Sequence, residues 1–169
     1  DCDDVLTADY LALLVTALKK NPDAGMAYGT LRFFGGDGLG PEERVWPTKE
    51  YSPDDRFLEN VVPGPGVLIR ADLFQRGLRW RGTFTQTSGE DYDLWLQVVE
   101  LGGHPLWVQE ATYMYRQHAA SFMKTTNWQQ VFLLHCGILR HHRIRIQQTC
   151  GVSSYIERHF LSHLVREIR

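Results

Sequence analysis

Apolar positions along this chain recur with two different periods. Over residues 6–20 they return every three or four places. Leu11, Leu14, Val15 and Leu18 fall on one face, which predicts a helix. Thr7 is its expected N-cap, and Asn21-Pro22 its stop. Residues 25–34, GMAYGTLRFF, are rich in strand formers. A Gly-rich loop without periodicity follows at 35–43. Residues 60–70, NVVPGPGVLIR, read as a loop feeding a short strand at Val67, Leu68 and Ile69. Residues 71–76 predict a short helix that Gly77 stops.

Residues 90–101, EDYDLWLQVVEL, carry the strongest helical pattern. Leu94, Val98 and Leu101 share a face that Trp95 and Val99 widen, and Gly102-Gly103 ends it. Residues 105–118 predict two short strands, PLWVQ and ATYMYRQH. Helices are expected over 127–148 and 153–168, with Gly151 as the break. Strands and helices are interleaved, so the fold class is α/β.

At 169 residues the chain is long enough for one well-buried core. Its 43% apolar and 22% charged residues are those of a globular protein. Cys2, Cys136 and Cys150 are scattered and odd in number. That argues against a disulfide framework or a cysteine zinc site and favours a reducing, cytoplasmic setting. There is no signal peptide and no initiating Met, so the chain reads as an excerpt. The net charge of −2 is uneven. From Trp128 onward six Arg face two Glu, a balance of +4, which leaves −6 on the first 127 residues. The basic C-terminal helices suit a solvated face, or else peripheral contact with an anionic membrane surface or an acidic protein face. They lack a continuous apolar stripe, and nothing in the sequence points to nucleic acid.

Four stretches carry residues suited to chemistry. The chain opens on DCDD. In an extended segment Asp1 and Asp3 point the same way and are placed to share Mg²⁺ or Mn²⁺. An acidic turn leading into the next helix explains the same residues. In GEDYDLW, Glu90 and Asp91 begin a helix, where the dipole favours acids. The alternative is that Asp91 projects into a cleft as a general base, which requires burial or substrate to raise its pKa again. Asp93 is expected to face elsewhere. In YRQH, Arg116 and His118 share a strand face and suit a phosphate and a metal respectively, or simply end a surface strand. The Pro-Gly loop at 63–66 lets a ligand approach the backbone closely, or simply turns the chain. His135, His141 and His142 lie among Arg residues and are expected to form a basic surface.

In this order the set resembles the family 2 glycosyltransferases of the GT-A fold. An acidic D-x-D-D is followed by a Gly/Pro loop, a short strand, R-A-D-L-F, G-E-D-Y-D-L-W-L and Y-R-x-H. The resemblance covers residues 1–121 and leaves 122–169 as a helical extension. It implies transfer of a sugar from a nucleotide-sugar donor to a carbohydrate or lipid-linked acceptor, with inversion. Under it, Asp1, Asp3, Asp4 and Arg116 serve the nucleotide and diphosphate, with Ser121 near the phosphates. Asp3 and His118 hold Mn²⁺ or Mg²⁺. Gly64, Gly66 and Trp95 line the acceptor side, and Asp91 is the base that Glu90 orients. Such enzymes begin with a Rossmann-like half that binds the nucleotide. Nothing in this sequence corresponds to it, so the resemblance implies a partial GT-A fold that, taken alone, binds donor weakly and is inactive.

Two other readings compete. DCDDVL also resembles motif I of haloacid-dehalogenase-like phosphatases. That family needs a Lys near its later acids, and none lies between Lys49 and Lys124. A non-catalytic carbohydrate-binding module would use Trp80, Phe84, Tyr92, Trp95 and Trp107 to stack on sugars, although their apolar neighbours place most of them in a core.

Overall fold

The computed structural model describes residues 3–35, 45–46, 50–51, 62–84, 89–117 and 127–161. Its elements run β1 (Val5–Leu6), α1 (Tyr10–Lys20), β2 (Ala24–Phe34), β3 (Leu68–Ile69), α2 (Ala71–Gln75), a 3₁₀ turn (Gly82–Phe84), α3 (Glu90–Glu100), β4 (His104–Arg116), α4 (Trp128–Thr149) and α5 (Val152–Ile156). A π-helical turn, Glu157–Leu161, follows. The fold is α/β, built on a four-stranded mixed sheet of order β1-β4-β2-β3. Strand β2 runs parallel to β4, while β1 and β3 are antiparallel to their neighbours.

Period-two alternation along β2 serves two cores at once. Ala27, Leu31 and Phe33 pack with Tyr10, Leu14 and Leu18 of α1. Met26 and Tyr28 face the other way, into Leu73, Leu94, Trp95 and Val98 of α2 and α3. A third cluster joins the far side of α3, through Tyr92 and Leu96, to Phe84, Ile138, Ile146 and Tyr155. Helix α3 therefore lies between the sheet and the C-terminal helices, and every residue from Tyr92 to Val99 is buried. At about 1.5–3 kcal/mol per large apolar side chain, that double burial fixes where the first turn of α3 can point.

Four expectations are corrected. The predicted helix over residues 6–20 starts only at Tyr10, and Val5–Leu6 forms an edge strand instead. Thr7 does not cap it. Its hydroxyl and its backbone N–H both donate to the Thr112 carbonyl, at 3.1 and 3.3 Å, and so hold β1 to β4. The buried face of α1 is also turned. Tyr10, Leu14 and Leu18 are inside, whereas Leu11 and Val15 remain 55% and 39% exposed. Tyr10 decides this, because its hydroxyl donates to the Gly66 carbonyl and accepts from the Gly29 N–H. Finally, the two runs PLWVQ and ATYMYRQH are one strand. Val108 pairs with Gly29 and Thr112 with Thr30, so Gln109, Glu110 and Ala111 form a bulge. The Thr30 hydroxyl donates to the Gln109 carbonyl across it, at 3.0 Å. Of the C-terminal helix expected over 153–168, the segment beyond residue 161 lies outside the described residues.

Candidate functional site

The pairing of β1 with β4 unites two motifs that lie over a hundred residues apart. Val5 pairs with Met114 and Leu6 with Tyr113, which sets the acidic tetrad beside Tyr-Arg. One Asp4 oxygen accepts from the Tyr113 hydroxyl at 2.7 Å, and the other from the Arg116 backbone N–H at 2.8 Å. Arg116 Nε donates to the Asp3 carbonyl at 2.8 Å, and its guanidinium sits 4.5 Å from the centre of the Phe34 ring. Burial, reinforced by the bond to Asp4, pushes the Tyr113 hydroxyl well above its ordinary pKa and keeps it a donor.

The Pro-Gly loop links this cluster to α3. A Cβ on Gly66 would fall 2.3 Å from the Tyr113 ring, and its φ of +78° suits glycine. Two residues earlier, a Cβ on Gly64 would fall 2.3 Å from Asp91 Oδ2. Two residues of chain reach at most about 7 Å. The loop thus places the Asp4–Tyr113 pair and the Asp91 carboxylate on two sides of one short span. At its Gly66 end opens a cavity of about 320 Å³ whose wall includes Asp4, Leu6, Tyr10, Leu14, Gly66 and Tyr113 but not Asp91. That volume suits a small ligand.

Asp91 stands in the first turn of α3 with Glu90 and Asp93, behind an N-cap, Gly89, that offers no side chain. The free N–H groups there favour a negative charge. Burial opposes them and prevails. With the neighbouring Glu90 charge it raises the Asp91 pKa from 3.8 to about 6. One Glu90 oxygen, Oε2, is buried and has no hydrogen-bond partner among the described residues. Such an orphan acceptor is costly unless a ligand donor completes it.

The other expected residues divide. Asp1, His118 and Ser121 lie outside the described residues. Trp95 is 5% exposed and packs in the α3–sheet core, so it offers no face for an acceptor to stack on. Phe84 and Tyr92 are core as well, while Trp80 is exposed. Asp4, with both oxygens engaged, is a strut of the site. The Asp3 carboxylate fits Mn²⁺ or Mg²⁺ by its donor chemistry. Among the described residues no three His, Cys, Asp or Glu side chains are grouped to hold a metal.

A buried network of Asp93, Arg81, Gln97, Glu100 and His142 was not expected. Asp93 is fully buried and accepts from Arg81 Nη1 at 2.6 Å and Gln97 Nε2 at 2.7 Å. His142 places Nε2 at 2.8 Å from Asp93 and Nδ1 at 2.8 Å from Glu100. His135 and His142 are thus buried, contrary to the expected basic surface, and only His141 of the three is exposed. The signal was present, since Asp93, Gln97 and Glu100 form one polar stripe at i, i+4 and i+7 on a helix whose other positions from Tyr92 onward are apolar or aromatic.

Gly64 offers a direct probe of the site. Gly64→Ala is expected to displace the Asp91 carboxylate, because a side-chain tip yields where backbone would not. The cost in stability should stay under about 1 kcal/mol. A reaction relying on that carboxylate should fall about 100-fold. Parallel melting and turnover measurements check this. Equal losses in both would mean that the loop, not Asp91, is what the methyl disturbs.

Compared with protein-family models and with curated proteins, the sequence matches none of either. No described helix is long and apolar enough to cross a membrane.

Proposed function

We propose that the chain carries the catalytic, acceptor-side portion of a glycosyltransferase that moves a sugar from a nucleotide-diphosphate donor to an acceptor hydroxyl. The observation that carries this reading is the seat of Asp91. It is a carboxylate at a helix start, with its pKa raised to about 6, set against a glycine loop and next to a buried, unpartnered Glu90 oxygen. A group of that pKa is ionised at neutral pH yet basic enough to take a hydroxyl proton.

In this reading Asp91 removes the acceptor proton as the oxygen attacks the anomeric carbon in line. Glu90 Oε2 accepts a hydrogen bond from the acceptor and orients it. Gly64 and Gly66 keep the approach open. Asp3 and Arg116 flank the diphosphate, and Asp4 and Tyr113 hold them in place. Mn²⁺ or Mg²⁺, bound by Asp3 and His118, would neutralise the departing diphosphate. Positioning and charge supply the rate, and no covalent intermediate on the protein is needed.

The test is release of nucleoside diphosphate from UDP-, GDP- and dTDP-sugars by the natural protein with a panel of sugar acceptors. Release is expected to need Mn²⁺ or Mg²⁺ and to stop on chelation. If no donor is turned over, or if turnover ignores both chelator and Asp91→Asn, this reading is wrong.

A further inference from the structure

Helix α4 meets α3 near both ends. A Cβ on Gly89, the residue that opens α3, would fall 1.9 Å from Leu134 Cδ1, so α4 rests directly on the turn that presents Asp91. Farther along, α4 kinks at His142 (φ −116°, ψ 18°), and the imidazole enters between Asp93 and Glu100. Those two acids lie two turns apart on one side of α3.

The contacts select a charge state. Each ring nitrogen lies 2.8 Å from a carboxylate oxygen, and only the imidazolium can donate from both. Arg81 Nη1 also donates to Asp93 Oδ1, and it sits 3.3 Å from His142 Nε2. The Arg81 donor beside Nε2 favours loss of the His142 proton from that nitrogen, which would turn a lone pair on Asp93. That lone pair would then accept from Arg81, drawing the guanidinium off the carboxylate. Among the described residues, charged groups that face the ring include Asp93 and Glu100 from α3 and Arg81 from the segment before the 3₁₀ turn. On α4 itself Arg140, His141, Arg143 and Arg145 lie near in sequence.

We propose that His142 is a positioning residue for Asp91: as an imidazolium it clamps α3 to α4, and on deprotonation it frees Asp93, so the geometry of the candidate base depends on the protonation state of His142. This rests on the reading of Asp91 as the base. Burial alone would lower the His142 pKa, but the hydrogen bonds to Asp93 and Glu100 prevail and raise it above 6.5. The clamp is therefore complete below pH 6.5 and is lost as pH rises through the raised value. Asp91 ionises near 6, so both conditions hold together only in a window above that. A bell-shaped rate profile follows.

The experiment is an NMR titration of the full chain, following the Asp91 carboxyl carbon and the His142 ring protons without substrate. Asp91 is expected to show its own step near pH 6 and a second that coincides with His142. In His142→Gln the second step disappears, while the first stays within about 0.5 pH unit. In Glu100→Gln the His142 step falls by about 1 pH unit, and the second Asp91 step moves with it. A single step at Asp91 in the wild type, or a second step that survives in His142→Gln, overturns the proposal. If His142→Gln does not fold, Glu100→Gln decides alone: a second Asp91 step that stays put while His142 moves overturns it. Failure of the transfer reading would look different, with a normal two-step titration and no nucleotide release.

Discussion

Asp91→Asn is expected to abolish sugar transfer and to make the protein more stable. Loss of a general base costs about 10² to 10⁴ in rate. The gain in stability has its own cause. Burial raises the Asp91 pKa from 3.8 to about 6, so the folded chain holds that proton more tightly than the unfolded chain. Stability from this group is complete below pH 3.8 and is lost as pH rises through about 6. At pH 7.5 the folded protein therefore carries a carboxylate in a poor place. Asparagine removes that penalty, on the order of 1–2 kcal/mol after allowing for the solvent that still reaches the group. The melting temperature should rise by about 3–6 °C at pH 7.5 and by much less at pH 4.5. Wild-type transfer should rise with pH through about 6, and the variant's residual rate should not. A variant that keeps the wild-type rate, or that melts lower at pH 7.5, would show that Asp91 is placed for stability.

Asp93→Ala is expected to be the most damaging single change to stability. It removes at one stroke an acceptor shared by His142, Arg81 and Gln97. Breaking a buried pair in this way costs about 3–5 kcal/mol, a large share of the 5–15 kcal/mol typical of a domain. Asp72 is the control. Its pair with Arg76 is 3.9 Å long with both side chains half exposed, so Asp72→Ala should cost under about 1 kcal/mol. Urea midpoints at pH 6.5 compare the two. Similar small shifts would mean that the Asp93 network is dispensable, and with it the reason α3 keeps its place against α4.

These two acids share one helix turn and opposite fates, and the sequence hints at that only in part. The helix itself is legible. Leu94, Val98 and Leu101 recur at helical spacing, and Gly102-Gly103 ends the run. The acids at its start follow from the dipole. Whether Asp91 is buried depends on what packs over it, and Gly64 is 27 positions away in the chain. Asp93 depends on His142, 49 positions away.

What the sequence by itself determined is local. It placed α2, α3, the strand at Leu68–Ile69 and the break at Gly151. It also placed the start of α4, where Asn127 and Gln130 satisfy each other's backbone N–H groups. Backbone preference and side-chain period act over a few residues, so such features are written in a few residues. Only the tertiary structure decided which face of α1 turned inward, because Tyr10 bonds to Gly66 and Gly29 on other elements. It alone joined two apparent strands into β4 across a bulge, because the pairing with β2 outweighs the polar interruption. It seated Trp95 and His142 in the interior. For such residues burial is set by partners far along the chain, and the energy of a buried carboxylate or imidazole depends on those partners.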